Sequence, residues 1–143
     1  MMMQIKNYVI GVATKGFSDI HDLTPAAREH LKASGIVTGQ ATFFVTGSTA
    51  GITTGEFEPG LVKDLKEAFE RLAPQGARYH HEEAWHDGNG FSHVRASFLK
   101  PSLTVPVAEG KMTLGTWQQV ILVDFDNGPR DREIVFQVIG VSK

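Results

Sequence analysis

Apolar residues recur along this chain at two spacings, which separate extended segments from helical ones. Gln4–Thr14 is rich in β-branched and aromatic residues and predicts a first strand. Ile36–Thr46 predicts another strand, and its adjacent Phe43 and Phe44 indicate that both faces of this strand are covered. Two more strands are predicted towards the C-terminus, at Gln118–Phe125, the most apolar run, and at Glu133–Val141.

Two segments show helical spacing instead, and residues that start or stop helices bound each of them. Thr24 predicts an N-cap with Pro25 at the first helical position, and Gly35 ends this first helix. Pro59 opens the second helix and Pro74 ends it. Between them the apolar residues form one stripe: Leu61, Val62, Leu65, Ala68, Phe69 and Leu72.

The middle of the chain is less regular. Gly76–Gly90 predicts a histidine-rich loop, and Ser92–Lys100 fits a short helix or a strand equally well. Leu103–Val107 and Met112–Leu114 predict a hairpin, in which Pro106 places the first strand at an edge or beside a bulge. Because strands outnumber helices, we expect an α+β fold with two main helices packed on mixed or antiparallel β-sheets, in one domain over residues 1–143.

Composition narrows the classes of protein that fit. The net charge of −2 and the lack of a Lys/Arg cluster argue against nucleic acid as a partner. No apolar run reaches the roughly 18 residues that cross a membrane, and the N-terminus lacks a secretory pattern, so we expect a cytoplasmic protein with no membrane partner. With no cysteine among the 143 residues, disulfides, thiolate catalysis and cysteine-ligated metals are excluded.

Histidines carry the clearest candidate chemistry. Four of the six lie within one stretch: His80, His81, His86 and His93. The H-E-x-x-H spacing of metalloproteases fails, because Trp85 stands four residues after His81, and this weakens a metal-dependent hydrolase. Neighbouring His80 and His81 should not face the same site. His81 and His93 can meet across the glycine-containing loop, either as two metal ligands or as acid–base and hydrogen-bonding groups.

Two further segments suit anions. Gly47–Gly51 combines small hydroxyl residues with glycines, which lets backbone N–H groups approach an anion, although a plain polar loop fits as well. It matches neither a nucleophile elbow nor a P-loop. Arg130 and Arg132 are in register to point the same way, which suits phosphate. The alternative is a charge pair with the nearby carboxylates Asp124, Asp126 and Asp131.

Taken together, these segments resemble the YjbQ-like proteins, also called the secondary thiamine-phosphate synthase family, over nearly the whole chain. The resemblance is strongest in six segments: Tyr79–His81, Ser92–Val94, Ser102–Val107, Gly110, Leu114–Gln118 and Gly128–Arg132. It implies a compact α+β domain, usually a homotrimer with sites near subunit contacts. It also implies a weak thiamine-phosphate synthase activity, which joins a pyrimidine diphosphate to a thiazole phosphate and releases pyrophosphate.

The resemblance also assigns residues. It implies His81, His93 and Glu56 as catalytic positions, with His81 and His93 as ligands of a divalent metal ion, zinc or magnesium. A small phosphorylated metabolite would be bound by Ser48, Thr49, Thr116, Trp117, Gln118 and Arg130, with Trp117 stacking on the pyrimidine.

The chain departs from the family pattern at two polar positions. A first histidine of the family falls on Gly47, and an asparagine falls on Gly55. The alternative function is therefore a non-catalytic or vestigial member of the family, which binds a phosphorylated metabolite or serves as an oligomeric scaffold.

Overall fold

The computed structural model describes residues 1–143 and contains eight strands and four helices. The strands are β1 Met3–Thr14, β2 Asp19–Asp22, β3 Ile36–Val45, β4 Ala50–Gly55, β5 Ser102–Ala108, β6 Lys111–Met112, β7 Gln119–Asp124 and β8 Arg130–Ser142. The helices are α1 Thr24–Ser34, α2 Pro59–Leu72, α3 His81–Trp85 and α4 Gly90–Leu99. None of the helices has the length and apolarity needed to span a lipid bilayer.

The strands form two antiparallel sheets. The larger has the order β1-β8-β3-β5-β6, and the smaller has the order β2-β7-β4. The main core lies on the inner face of the larger sheet, where the rings of Phe43 and Phe136 are 4.8 Å apart, and α1 contributes Ala27 and Leu31 to it. A second cluster, which includes Phe69 of α2 and Phe125 after β7, lies behind the smaller sheet. The predicted α+β class is confirmed.

The helix boundaries follow the expected residues, with one correction. Pro25 and Pro59 lie in the first turns of α1 and α2, and Gly35 ends α1 with a left-handed φ of 70°. The N-cap assignment of Thr24 is wrong, because its hydroxyl accepts a hydrogen bond of 2.9 Å from the backbone N–H of Val120. Thr24 therefore ties α1 to β7 instead of closing its own helix.

Several short elements were not predicted. Gly76–Gly90 contains the one-turn helix α3, and Ser92–Lys100, which fitted a helix or a strand, lies mostly within α4. Two short strands, β2 and β4, lie in segments that were not predicted to be extended. They are extended because they flank the very apolar β7 and hydrogen-bond to both of its edges.

Phe43 and Phe44 correct a second expectation. Phe43 is buried in the core, but Phe44 points to the other face of the larger sheet and is 43% exposed. Within this chain, therefore, only one face of β3 is covered. Pro106 lies where expected, because β6 pairs only with Val107 and Ala108 and leaves the preceding part of β5 at a free edge.

Two glycines allow the central strands of the larger sheet to meet at a bulge. Gly39 of β3 and Gly140 of β8 are directly opposite each other, beside an irregularity between Ile36 and Thr38. A Cβ atom on Gly140 would lie 2.1 Å from the carbonyl oxygen of Thr38, and one on Gly39 would lie 2.0 Å from that of Ile139. The backbones therefore approach too closely for any side chain.

This contact predicts that Gly140→Ala lowers the free energy of unfolding by about 2–4 kcal/mol, because the backbone ladder must move to admit one methyl group. Gly11→Ala is the matched control on β1, where an added Cβ meets nothing within 4 Å. We expect the control to change stability by less than about 0.5 kcal/mol. Chemical denaturation measures both variants, and equal stabilities would contradict the close approach.

Candidate functional site

His81 and His93 lie side by side at the junction of α3 and α4. Their ring centroids are 4.2 Å apart, with an angle of 32° between the ring planes. The predicted meeting of these two histidines is confirmed. His80 points away, with its side chain 94% exposed and its Nδ1 3.1 Å from Glu83. Only one of the two neighbouring histidines therefore faces the site.

The turn between α3 and α4 brings the two rings together. His86 ends α3 in a left-handed conformation with φ of 52°, and Gly88 follows with φ of 65°. The buried Asn89 fixes this turn, because its Oδ1 accepts hydrogen bonds from the Ser92 hydroxyl and from the backbone N–H of Asn127. The amide of Asn127 in turn donates to the carbonyl of Asp87 at 2.8 Å. The turn is thus anchored to the loop after β7.

Two carboxylates accompany His81. Its Nδ1 is buried without a hydrogen-bond partner, and it lies 3.8 Å from Glu82 Oε1 and 3.6 Å from Asp87 Oδ1. His81, Glu82 and Asp87 each offer one ligand atom, and these atoms lie within 4.8 Å of one another. We call these three residues with His93 the histidine site. A polar atom without a partner beside two carboxylate oxygens fits a bound cation or a bridging proton.

The converging ligand atoms belong to a set of residues that differs from the predicted metal pair, His81 and His93, which stays a prediction. Glu82 and Asp87 join His81, and His93 lies outside the converging group. Sequence spacing gave no reason to choose these carboxylates over Glu83, because only the one-turn helix and the left-handed His86 turn them towards His81.

The electrostatics of the site keep His93 neutral. Burial and the neighbouring His81 lower the pKa of His93 below its usual value, although Asp87, Asp126 and Glu82 act in the opposite direction. A neutral imidazole can accept a proton or bind a metal at neutral pH.

Behind the histidine site, carboxylates and guanidinium groups form a buried network. Arg132 binds Asp124 through two contacts, Nε–Oδ2 at 2.7 Å and Nη2–Oδ1 at 3.0 Å. Thr49 accepts from Arg132 Nη2 at 2.7 Å and donates to Asp126 Oδ2 at 2.8 Å. Of the two interpretations of the arginine pair, the charge pair describes Arg132. The hydroxyl of Thr49 is engaged in this network and buried.

Arg130 keeps part of its guanidinium group free. Its Nε lies 3.2 Å from Asp126 Oδ2, and its side chain is 56% exposed. Burial by itself raises the pKa of Asp126, but the hydrogen bond from Thr49 and the charge of Arg130 outweigh it and lower the pKa below its usual value. Asp126 is therefore a carboxylate at neutral pH, and Arg130 can still reach an anion with its outer nitrogens.

Gly47 lies directly against this network. Its φ is 129°, and a Cβ atom there would lie 2.9 Å from Arg132 Nη1. A cavity of about 140 Å³ borders it, lined also by Ser48, Ala50, Ala96, Ser97 and Pro101. A histidine at position 47, as in the family pattern, would contact Arg132.

The other predicted site residues lie at the far end of the smaller sheet. Ala50 pairs with Asp124 near the histidine site, whereas Gly55 pairs with Gln119 at the opposite end of the same two strands. Five residue steps separate the two ends, which is about 17 Å. Glu56, Thr116, Trp117 and Gln118 follow or precede that second end and are exposed. One protomer therefore does not bring them to His81 and His93.

A cleft of about 370 Å³ lies at this far end, between the two sheets. Gln118 lines it and donates from Nε2 to Thr54 Oγ1 at 3.2 Å. The other polar groups that line the cleft are mostly hydroxyls, from Thr53, Ser102, Thr104 and Thr113. We call it the threonine cleft. This cleft was not predicted, because its walls come from three separate segments of the chain.

Comparisons with known proteins agree with this architecture. The family model described as "UPF0047 protein YjbQ-like" matches residues 8–141. A UPF0047 protein of Methanothermobacter thermautotrophicus is 35% identical over 140 residues, which cover 98% of this chain and 96% of that protein. The UPF0047 protein YugU of Bacillus subtilis is 32% identical over 131 residues, covering 90% of this chain and 96% of that one.

Solved structures give the same result. A YbjQ-like protein of unknown function from Sulfolobus solfataricus has a TM-score of 0.93 and 31% identity, covering 98% of this chain and 100% of that chain. An uncharacterized protein of the YjbQ/UPF0047 family from Clostridium acetobutylicum has a TM-score of 0.83 and 30% identity, covering 92% and 98%. By its sequence match and its fold, this chain belongs to the YjbQ-like (UPF0047) family.

Proposed function

We propose that this chain is a transferase of the thiamine-phosphate synthase type. In this reaction the ring nitrogen of a thiazole phosphate forms a bond to the methylene carbon of a pyrimidine diphosphate. The bond from that carbon to the diphosphate oxygen breaks, and pyrophosphate leaves. No proton has to move in this step, so the main demands are the orientation of two rings and the neutralisation of the departing charge. Such charged metabolites do not cross membranes unaided, which supports a cytoplasmic location.

The observation that carries the proposal is the buried, unpartnered Nδ1 of His81 beside Glu82 and Asp87. One nitrogen and two oxygens fit a divalent ion such as zinc, and the two carboxylates also suit magnesium. When bound, such an ion would supply positive charge for the diphosphate oxygens. This site therefore matches the demand of a reaction whose leaving group is pyrophosphate.

Other residues of the chain fit the remaining demands. The outer nitrogens of Arg130 are free to bind phosphate oxygens at the edge of the network. Neutral His93 can donate or accept a hydrogen bond next to His81 without adding charge. Trp117 is 74% exposed and offers a flat surface on which a pyrimidine ring can stack.

The division of these residues between two ends of the smaller sheet supports a site shared between subunits. Within one chain the strand ends next to Trp117 lie about 17 Å along the strands from Ala50 and Asp124, and the threonine cleft begins between these two ends, at Ile52. We place the threonine cleft of one protomer opposite the histidine site of its neighbour in a homotrimer. A closed ring of three would form three such sites.

The outer face of the larger sheet supports assembly as well. This outer face, which no helix covers, comprises Ile5, Asn7 and Val9 of β1, Gln40, Thr42 and Phe44 of β3, and Val135, Gln137 and Ile139 of β8. These nine side chains are uncharged, and Ile5 and Val9 are each 59% exposed. The charged residues of this face, Asp131 and Glu133, lie at one end of β8, opposite Ala13 and Gly11. An exposed patch with apolar side chains at its centre is typical of a surface buried between subunits.

A second candidate function is a non-catalytic member that binds a phosphorylated metabolite or acts as a scaffold. Gly47 favours it, because the histidine that the resemblance implies is absent at this position and the backbone there lies close to Arg132 Nη1. The small cavity beside Ser48 and Ser97 would then hold an oxyanion without any reaction.

The first prediction concerns metal. Protein purified without chelators should contain about one divalent ion per protomer, and His81→Ala or Asp87→Asn should reduce the bound metal at least about tenfold, since each removes a ligand atom. Plasma mass spectrometry measures the content. His80→Ala is the matched control, because that side chain is exposed and points away. Metal-free wild-type protein, or full metal content in both ligand variants, would contradict the metal centre.

The second prediction concerns turnover. The protein should form thiamine phosphate and pyrophosphate in equal amounts from the two substrates, above a heat-killed control. His81→Ala/His93→Ala should lower this rate at least about 100-fold, whereas His80→Ala should not. Mixed trimers of that variant with Trp117→Ala protomers should regain part of the activity, because some sites would combine two intact halves. Saturable substrate binding without product would favour the binding function instead.

The third prediction concerns assembly. Light scattering at micromolar concentration should give three times the protomer mass of 15.7 kDa. Phe44→Lys/Val135→Lys should yield monomers, because two charges on the outer face would be buried without partners. Leu72→Lys, at the C-terminal end of α2 where a cation is favourable, is the control and should remain a trimer. A monomeric wild-type protein would rule out the shared site.

A further inference from the structure

A groove between α1 and the β5–β6 hairpin lies outside both the histidine site and the threonine cleft, and no step of the proposed reaction uses it. Its volume is about 490 Å³, within the range of small-molecule pockets. Arg28, Leu31 and Lys32 line it from α1, and Lys111, Met112 and Leu114 line it from the hairpin side. Only Leu114 also borders the threonine cleft.

The rim of this groove carries three positive charges without partners. Arg28 and Lys32 are four residues apart on α1 and therefore share one helical face, and Lys111 stands on the opposite wall. None of the three takes part in any of the ion pairs of the structure, and no carboxylate lines the groove. Two carboxylates are near in sequence, Glu29 and Glu109, and neither is part of the lining.

The floor of the groove is apolar and preformed. Leu31 and Met112 belong to the main core and are 2% and 8% exposed, and Leu114 packs against the same core. Their positions are fixed by the fold, so a ligand would not have to order them. The hydrocarbon stems of Arg28 and Lys32 extend this apolar surface towards the rim.

We propose that the groove binds a small amphipathic phosphomonoester, with its hydrocarbon or aromatic body on the Leu31–Met112–Leu114 floor and its phosphate between Arg28, Lys32 and Lys111. A phosphomonoester carries close to two negative charges at neutral pH and three acceptor oxygens, which matches three cations on two walls. A carboxylate supplies one charge and would leave the rim under-neutralised. A bare phosphate would leave the apolar floor without a contact.

The test uses the full chain and octyl phosphate as the probe, with binding measured by calorimetry and located by amide chemical shifts. Octyl phosphate should bind, with shifts centred on Leu31, Gly110, Met112 and Leu114. Inorganic phosphate lacks the hydrocarbon body, octanol lacks the charge, and octanoate lacks the second negative charge. Each should therefore bind at least about tenfold more weakly than octyl phosphate. Octanoate binding as tightly as octyl phosphate would overturn the choice of head group.

Two charge variants complete the test. Arg28→Gln/Lys32→Gln/Lys111→Gln should weaken octyl phosphate binding at least about tenfold. Lys63→Gln/Lys66→Gln/Arg71→Gln removes the same charge from the exposed side of α2 and should leave binding unchanged. Three outcomes would overturn the proposal. The two variants could bind octyl phosphate with equal affinity, or the ligand-induced shifts could lie outside the groove. Shifts at the groove that depend on protein concentration without ligand would indicate that a second copy of the chain binds there. Loss of the transferase activity has no bearing on this result.

Discussion

The buried pairing of Arg132 with Asp124 holds together the part of the molecule on which the candidate chemistry depends. Asp124 ends β7 in the smaller sheet, and Arg132 lies in the first residues of β8 in the larger one. Thr14 of β1 donates to the same carboxylate at 2.5 Å, and Thr49 joins Arg132 to Asp126. The desolvation of two buried charges offsets much of the free energy gained from their attraction. Their main contribution is therefore to fix the geometry of the two sheets. They set the distance and angle between the two sheets at the end where the histidines lie.

The same network links the sheets to the histidine turn. Asp126 receives the Thr49 hydroxyl and the Arg130 guanidinium, and the next residue, Asn127, bonds to both Asn89 and Asp87. Asp87 in turn faces His81. The position of the candidate metal ligands is thus determined by a chain of hydrogen bonds that begins at the sheet junction. Such a site is held by its surroundings before any ligand arrives, which lowers the entropy lost on binding.

The molecule presents polar recognition groups at both ends of the smaller sheet. One end has carboxylates, imidazoles and a partly free arginine, and the other has hydroxyls, an amide and an exposed indole. The first set suits a cation and the oxygens of a diphosphate, and the second suits a neutral ring. The proposed two-substrate reaction would need both sets, and the exposed apolar side chains on the outer face of the larger sheet give a physical reason for copies of the chain to associate and combine them.

How far the fold could be predicted depended on the kind of residue that carried the signal. Pro25, Gly35 and Pro59 restrict the backbone directly, so the bounds of α1 and α2 followed from them. The short strands β2 and β4 carried no such signal, because they are extended only through their hydrogen bonds to β7. The prediction that both faces of β3 are covered was wrong at Phe44 for a related reason, since the exposure of one face of a strand depends on what packs against it.

For the candidate site, the sequence by itself determined the chemistry available: two histidines on either side of a glycine turn, arginines after β7 and no cysteine. It also indicated that at most one of His80 and His81 faces a given site and that His81 could meet His93. Only the tertiary structure decided that Glu82 and Asp87 accompany His81, that Arg132 is neutralised by Asp124, and that Glu56 and Trp117 lie at the other end of the sheet. The physical reason is that residue type fixes what a side chain can bind, whereas distances between remote segments arise from strand pairing and helix packing, which depend on the whole chain at once.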